Sequence, residues 1–238
     1  MPFELKLATM LSALAVSVIL HEMAHAWVAL KLGDPTGRDD GRLSFNPIVH
    51  IDPWMTIILP LLLLFASNGR FVFGGAKPVR INPLNFRDPS RGMMLSSAAG
   101  PLSNLALAVA GLAILFLLNS IDSGFVVGRD DGGVLHITYN GFFFCYFILV
   151  NVTLAAFNLV PIPPLDGSRV LRHFLPEGGR ALMDRIEPLG MLILMGLMMF
   201  TPFFSWVLAP AYLAWGHVME ALFGGDLTIA FLAALFEH

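Results

Sequence analysis

The sequence predicts an all-α polytopic membrane protein, a multi-helix bundle in one membrane-embedded domain. Three observations carry that expectation. Of the 238 residues, 56% are hydrophobic and only 13% are charged, against about a quarter charged in soluble domains. Mean hydropathy is +0.74. Apolar runs of the roughly 20 residues that cross a hydrocarbon core recur between short loops marked by Gly, Pro and Asp. The length suits a single domain, residues 1–238. A net charge of −3 points to no nucleic-acid partner.

Residues 5–30 form the first expected span. Residues 7–20 (LATMLSALAVSVIL) have the length of a signal-peptide core. The run continues into HEMAHAWVAL, however, so it is read as a retained helix. A polar stretch, 31–53, follows. Residues 54–67 (WMTIILPLLLLFAS) are apolar but short, and Pro60 interrupts them; a run of that length is more often re-entrant than spanning. Residues 71–81 (FVFGGAKPVRI) read as extended and glycine-kinked. Residues 93–118 are a second span, in which Gly100, Ala106, Ala110 and Gly111 allow close helix packing. A polar loop, 119–140, precedes a third span at 141–160, which ends in VPIPPLDG. The lone Cys145 sits in an apolar run and reads as a packing residue. C-terminal accessory helices are expected at 187–200 and 203–223, punctuated by Pro202 and Pro210. With 54–67 re-entrant, Lys31, Arg38, Arg42, Arg70, Lys77, Arg80, Arg87, Arg91, Arg169, Arg172, Arg180 and Arg185 share one side, leaving Lys6 and Arg129 opposite. The positive-inside rule makes the crowded side cytoplasmic.

His21, Glu22 and His25 spell H-E-x-x-H inside the first span. Residues four apart share a helix face, so both imidazoles can reach one metal ion, for which zinc is well suited. Glu22 lies beside the pair as a candidate catalytic base. Ionisable groups at membrane depth are costly unless they function. A zinc hydrolase needs a third protein ligand and an open position. Asp166, after the helix-breaking prolines 161, 163 and 164, is the best candidate, although local sequence equally allows a turn residue before Gly167. His25 lies six residues from Lys31, roughly 9 Å along a helix, so both groups are expected near the cytoplasmic face. His50 and Asp52 are rival third ligands beside the short apolar segment, with a structural or gating role the stronger reading. His136, His173, His217 and His238 read as unrelated. Asn104 and Asn158 are amides in apolar spans; each could bind substrate backbone or polarise its carbonyl, or bond another helix.

At these residues the sequence resembles the site-2 protease family of intramembrane zinc metalloproteases. The matching pieces are HEMAH at 21–25, FGGAKPV at 73–79, AAGPLSN at 98–104 and NLVPIPPLDG at 158–167. The resemblance implies His21, His25 and Asp166 as ligands of one zinc, with Glu22 as the base. It also implies a three-helix catalytic core within about 5–170. A small membrane-associated β segment is implied too, fitted by 71–81, with Phe73, Gly74 and Gly75 meeting an extended substrate strand. The implied substrate is a transmembrane or membrane-associated protein, cleaved within the bilayer environment in regulated intramembrane proteolysis. Leu159 and Val160 intervene before Pro161, where the family often has Pro directly after the Asn, which weakens the assignment of Asn158. No PDZ or CBS module is recognisable, so accessory-domain gating is not expected from these residues. Two other classes share the same histidines. A membrane protease with its HExxH in a soluble domain is disfavoured by the lack of such a domain. A metal transporter is disfavoured by the lack of repeats and of further intramembrane acids.

Overall fold

The computed structural model describes residues 2–66, 74–122, 124–129 and 135–236. Helix α1 runs Phe3–Lys31 and the short α2 Thr36–Asp39. A π-helical turn, Pro53–Ile58, leads into α3, Leu59–Ala66. Helix α4 spans Pro89–Ile121 and α5 Tyr139–Asn158. Then come α6 (Asp166–Phe174), α7 (Glu177–Ile186), α8 (Gly190–Phe200), α9 (Phe203–Phe223) and α10 (Gly225–Phe236). Strands β1 (Val127–Arg129) and β2 (Leu135–Ile137) pair antiparallel.

Helices α1, α4 and α5 are long and apolar enough to cross a membrane, and the helices from Glu177 to Phe223 can supply a fourth span. They expose large apolar side chains, such as Leu11 on α1 and Val109 and Leu117 on α4; in lipid such faces need no cover, because the backbone bonds are satisfied inside each helix. The protein is a multi-pass membrane protein. The expected spans hold to within a few residues. The short segment at 53–66 is helical, about 20 Å long at 1.5 Å per residue, and so too short for a core of about 30 Å. The small sheet lies in the loop expected to be irregular, at 127–137. Of 71–81, residues 71–73 lie outside the described residues, and 74–81 form no regular strand. Helices α2, α6, α7 and α10 fall where no helix was expected.

The chain divides into two compact units. One comprises residues 1–17, 104–157 and 205–238. Its core joins Ala108 and Leu115 of α4, Phe142, Cys145 and Ile148 of α5, Trp215 and Met219 of α9, and Leu227 and Phe231 of α10. Gly111 faces Phe147 and Ile148, where a Cβ would lie 3.1 Å from the Phe147 ring. Ala106 and Ala110, read as residues for close helix packing, are exposed, because the buried face of this stretch carries Ala108 and Gly111 instead. A buried polar network ties three helices within this unit. The Asn104 amide donates to Asn151 Oδ1 (2.8 Å) and to the Ser17 carbonyl (3.3 Å). The Asn151 amide donates to Ser17 Oγ (2.8 Å) and to the Phe147 carbonyl (2.8 Å). All three side chains are fully buried.

The other unit comprises residues 18–103 and 158–204. Its loops are organised by buried Asp34. One carboxylate oxygen accepts from the Thr36 N–H, the Thr36 hydroxyl and the Asn85 amide, and the other accepts from the Asn82 N–H at 2.8 Å. Arg80 forms a two-point pair with Asp40 (2.7 and 2.5 Å). Arg172 of α6 does the same with Asp184 of α7 (2.7 and 2.8 Å), and Arg180 donates to the Leu175 and His173 carbonyls that end α6.

Candidate metal centre

His21 and His25 are one helical turn apart on α1 and both are buried. Their rings meet edge to face with centroids 4.6 Å apart, and their Nε2 atoms lie 3.0 Å apart. Asp166 opens α6, where an acidic side chain suits the helix dipole. Its Oδ2 lies 3.3 Å from each Nε2. The backbone ahead of it folds tightly: Leu165 N–H bonds the Ile162 carbonyl, and Ser168 N–H and Oγ both bond the Leu165 carbonyl. Gly167 is required there, since a Cβ would lie 2.6 Å from the Val160 carbonyl oxygen.

These three atoms fit a zinc ion. Four-coordinate zinc with bonds of about 2.0–2.1 Å sets neighbouring donors about 3.3 Å apart, which matches the observed 3.0, 3.3 and 3.3 Å. The donor set, two imidazoles and a carboxylate, leaves a fourth position open. The tautomer is also fixed. His25 Nδ1 lies 2.7 Å from the Ser96 carbonyl oxygen, which can only accept, so Nδ1 carries the proton and Nε2 presents its lone pair. Helix α4 reaches this close because residue 100 is glycine; a Cβ there would lie 2.5 Å from His25 Cε1 and 2.6 Å from His21 Cε1. Glu22 is half-buried, and its Oε2 accepts the Val79 N–H at 3.0 Å. Among the described residues this trio is the one group of His, Cys, Asp and Glu with ligand geometry.

The description of peptidase family M50 matches residues 123–201. The chain is 37% identical over 228 residues to the Bacillus subtilis protein named "Putative zinc metalloprotease YwhC", covering 94% of this chain and 90% of that one. The chain belongs to peptidase family M50. It is 33% identical to Rip2 of Mycolicibacterium smegmatis, also named as a zinc metalloprotease, over 70% of this chain and 58% of that protein. No solved structure matches it. The resemblance to site-2 proteases is thereby borne out, and the protein is a metallopeptidase.

The other candidates of this M50 chain lie elsewhere. His50 is buried with Nε2 2.8 Å from the Ser44 carbonyl, and Asp52 caps the π-helical turn by accepting from Trp54 and Met55 N–H groups (2.9 Å each). Neither joins the trio, because their side chains are committed to the loop that carries them. Asn104 donates its amide to the Ser17 carbonyl and to Asn151 Oδ1 within its own unit, the interhelical alternative that the sequence allowed. Asn158 is the half-buried last residue of α5. Phe73 lies outside the described residues; Gly74 and Gly75 open a segment that runs to Glu22. His173 pairs with Ser90 (2.9 Å) and His217 Nδ1–H donates to Leu213 O (2.7 Å). Sequence reasoning missed Ser96, Val79 and Asn151, and it named Gly100 only as a helix-packing residue. Only Asn151, an amide within FILVNVTL, left a side-chain signal; Ser96 and Val79 act through backbone groups that any residue carries.

Proposed function

We propose that this chain is an intramembrane zinc metalloprotease that hydrolyses peptide bonds in or near transmembrane segments of membrane proteins. His21, His25 and Asp166 hold one zinc per chain, and Glu22 is the catalytic base. The observation that carries the reading is the buried trio of donor atoms, spaced for tetrahedral zinc, with two of them on a helix apolar enough to span. The zinc named for YwhC and Rip2 supports the choice of metal.

A zinc ion held by His21, His25 and Asp166 would acidify a bound water and polarise a peptide carbonyl. The chain's own residues do the rest. Glu22 takes a proton from the attacking water at a carboxylate oxygen and delivers it to the leaving amine. The Ser96 carbonyl holds the His25 ring in its ligating tautomer. Substrate reaches the centre as an extended strand. The N–H groups of Gly75, Lys77 and Val79 are taken by Met55 O, His50 O and Glu22 (3.0, 2.8 and 3.0 Å), and the Gly75 carbonyl accepts from Thr56 Oγ1. Alternate residues of extended backbone face opposite edges, so a substrate strand pairs along the other edge, at Gly74 and Ala76. Asn158 remains a substrate-backbone candidate. The whole chain acts as one membrane domain, with its centre near the cytoplasmic side, a reading supported by the cationic loops. The test is Glu22→Gln in detergent with a transmembrane peptide substrate. Zinc content is expected to stay at the wild-type level while cleavage is lost; retained cleavage refutes the assignment.

A further inference from the structure

Glu22 makes one hydrogen bond among the described residues, from the backbone N–H of Val79. A Glu side chain has three rotatable bonds and loses considerable freedom when fixed, so a base aimed at one water needs something to hold it. The donor is itself held on both sides. Lys77 N–H bonds His50 O at 2.8 Å, Arg80 is paired in two places with Asp40, and Asn82 N–H bonds buried Asp34 at 2.8 Å. Pro78 fixes the backbone immediately before it. The Val79 side chain is buried, with Cγ1 3.0 Å from where a Cβ on Gly37 would stand. The six residues from Lys77 to Asn82, a loop without regular structure, are thus held by the His50 carbonyl, the Asp40 and Asp34 carboxylates, the buried Val79 side chain and a proline, and the group they present to the motif helix is one N–H.

We infer that the Val79 backbone N–H is a positioning group for Glu22: it fixes Oε2 and leaves Oε1 to meet the proton of the attacking water. The inference rests on the reading of Glu22 as the base. It assigns a role to Val79 that is separate from the substrate contacts placed at Gly74 and Ala76. Preorganised donors of this kind lower the barrier because the base need not reorient during reaction.

The test removes the N–H and keeps the chain otherwise intact. Val79→Pro lacks the donor, Val79→Ala keeps it, and a backbone ester at 79, made with the α-hydroxy analogue of valine, removes the donor while keeping the side chain. Zinc content, kcat and KM are measured on each purified full-length protein. The expected result is a kcat for Val79→Pro about 10- to 100-fold below that of Val79→Ala, the loss a charge-assisted hydrogen bond converts to, with zinc content and KM equal in the two. The ester is expected to show the same deficit against wild type. In a Glu22→Gln background, Val79→Pro is expected to change the residual rate no further. Equal kcat in Val79→Pro and Val79→Ala overturns the inference. If Val79→Pro loses zinc, the ester decides, and an ester at wild-type kcat overturns it. A Glu22→Gln protein that cleaves normally defeats the reading of Glu22 as base itself, whatever the Val79 variants do.

Discussion

Gly100→Ala tests the candidate metal centre without replacing a ligand. In an exposed helix the change stabilises by about 1 kcal/mol, so helix propensity alone predicts a gain. Here the added methyl would lie 2.5 Å from His25 Cε1 and 2.6 Å from His21 Cε1. Carbon atoms rest about 3.5–4.0 Å apart, so the overlap is about 1 Å with each ring. The rings have little room, since the His25 Nδ1–H is tied to the Ser96 carbonyl and both residues lie one turn apart on a buried face. Relief comes by pushing the imidazoles away from α4, whereas zinc–nitrogen distances tolerate about 0.2 Å. Overpacking of this kind costs about 1–3 kcal/mol, and second-site distortion of a metal centre weakens binding about 10- to 100-fold. Purified Gly100→Ala protein, dialysed against a competing chelator and assayed for zinc by mass spectrometry, is therefore expected to lose most of its metal and its peptidase activity. Far-UV circular dichroism is expected to show the helices retained. Wild-type zinc content with full activity would refute the placement of α4 against the histidines.

Two further outcomes follow from the packing. Asn104→Leu and Asn151→Leu each strand a buried partner, at a cost of about 1–3 kcal/mol, while the double variant removes both amides and is expected to cost less than the sum of the two; thermal unfolding in detergent measures all three, and strict additivity would count against the network. Asp34 is pushed up by burial, but the hydrogen bonds from Thr36, Asn85 and Asn82 outweigh that and hold its carboxyl below the usual range. Its contribution to stability is therefore present above the unfolded value, about 4, and is lost as pH falls through the lower folded value. Unfolding followed in detergent between about pH 5 and 2 is expected to show a steeper acid loss for wild type than for Asp34→Asn, and parallel curves would contradict the assignment.

Much of the centre was legible in the sequence because its signals are short-range. The i, i+4 spacing of His21 and His25 puts both on one helix face wherever the helix lies. The apolar runs announce spans because a bilayer requires internally bonded helices of a set length. Asp166 was the best third-ligand candidate on local grounds, and the family resemblance raised it above the competing reading as a turn residue; the donor spacing supports that choice. Other parts were not legible for stated reasons. The role of Asn104 depended on whether another amide faced it, and Asn151 is 47 positions away. The paired strands at 127–129 and 135–137 have three residues each, too short for alternation to register.

The sequence by itself determined the membrane class, the three principal spans and the shared face of His21 and His25 on α1, since each follows from composition or from periodicity within one helix. Only the tertiary structure set the distant groups around the two histidines: the Asp166 carboxylate that the sequence had offered as best candidate, the Ser96 carbonyl, the space left by Gly100 and, at Glu22, the Val79 N–H. None of these is encoded by residue type alone. Two are backbone atoms, one is a missing methyl, and the fourth is an aspartate among several, so each acquires its meaning from what the folded chain sets within about 3 Å of it.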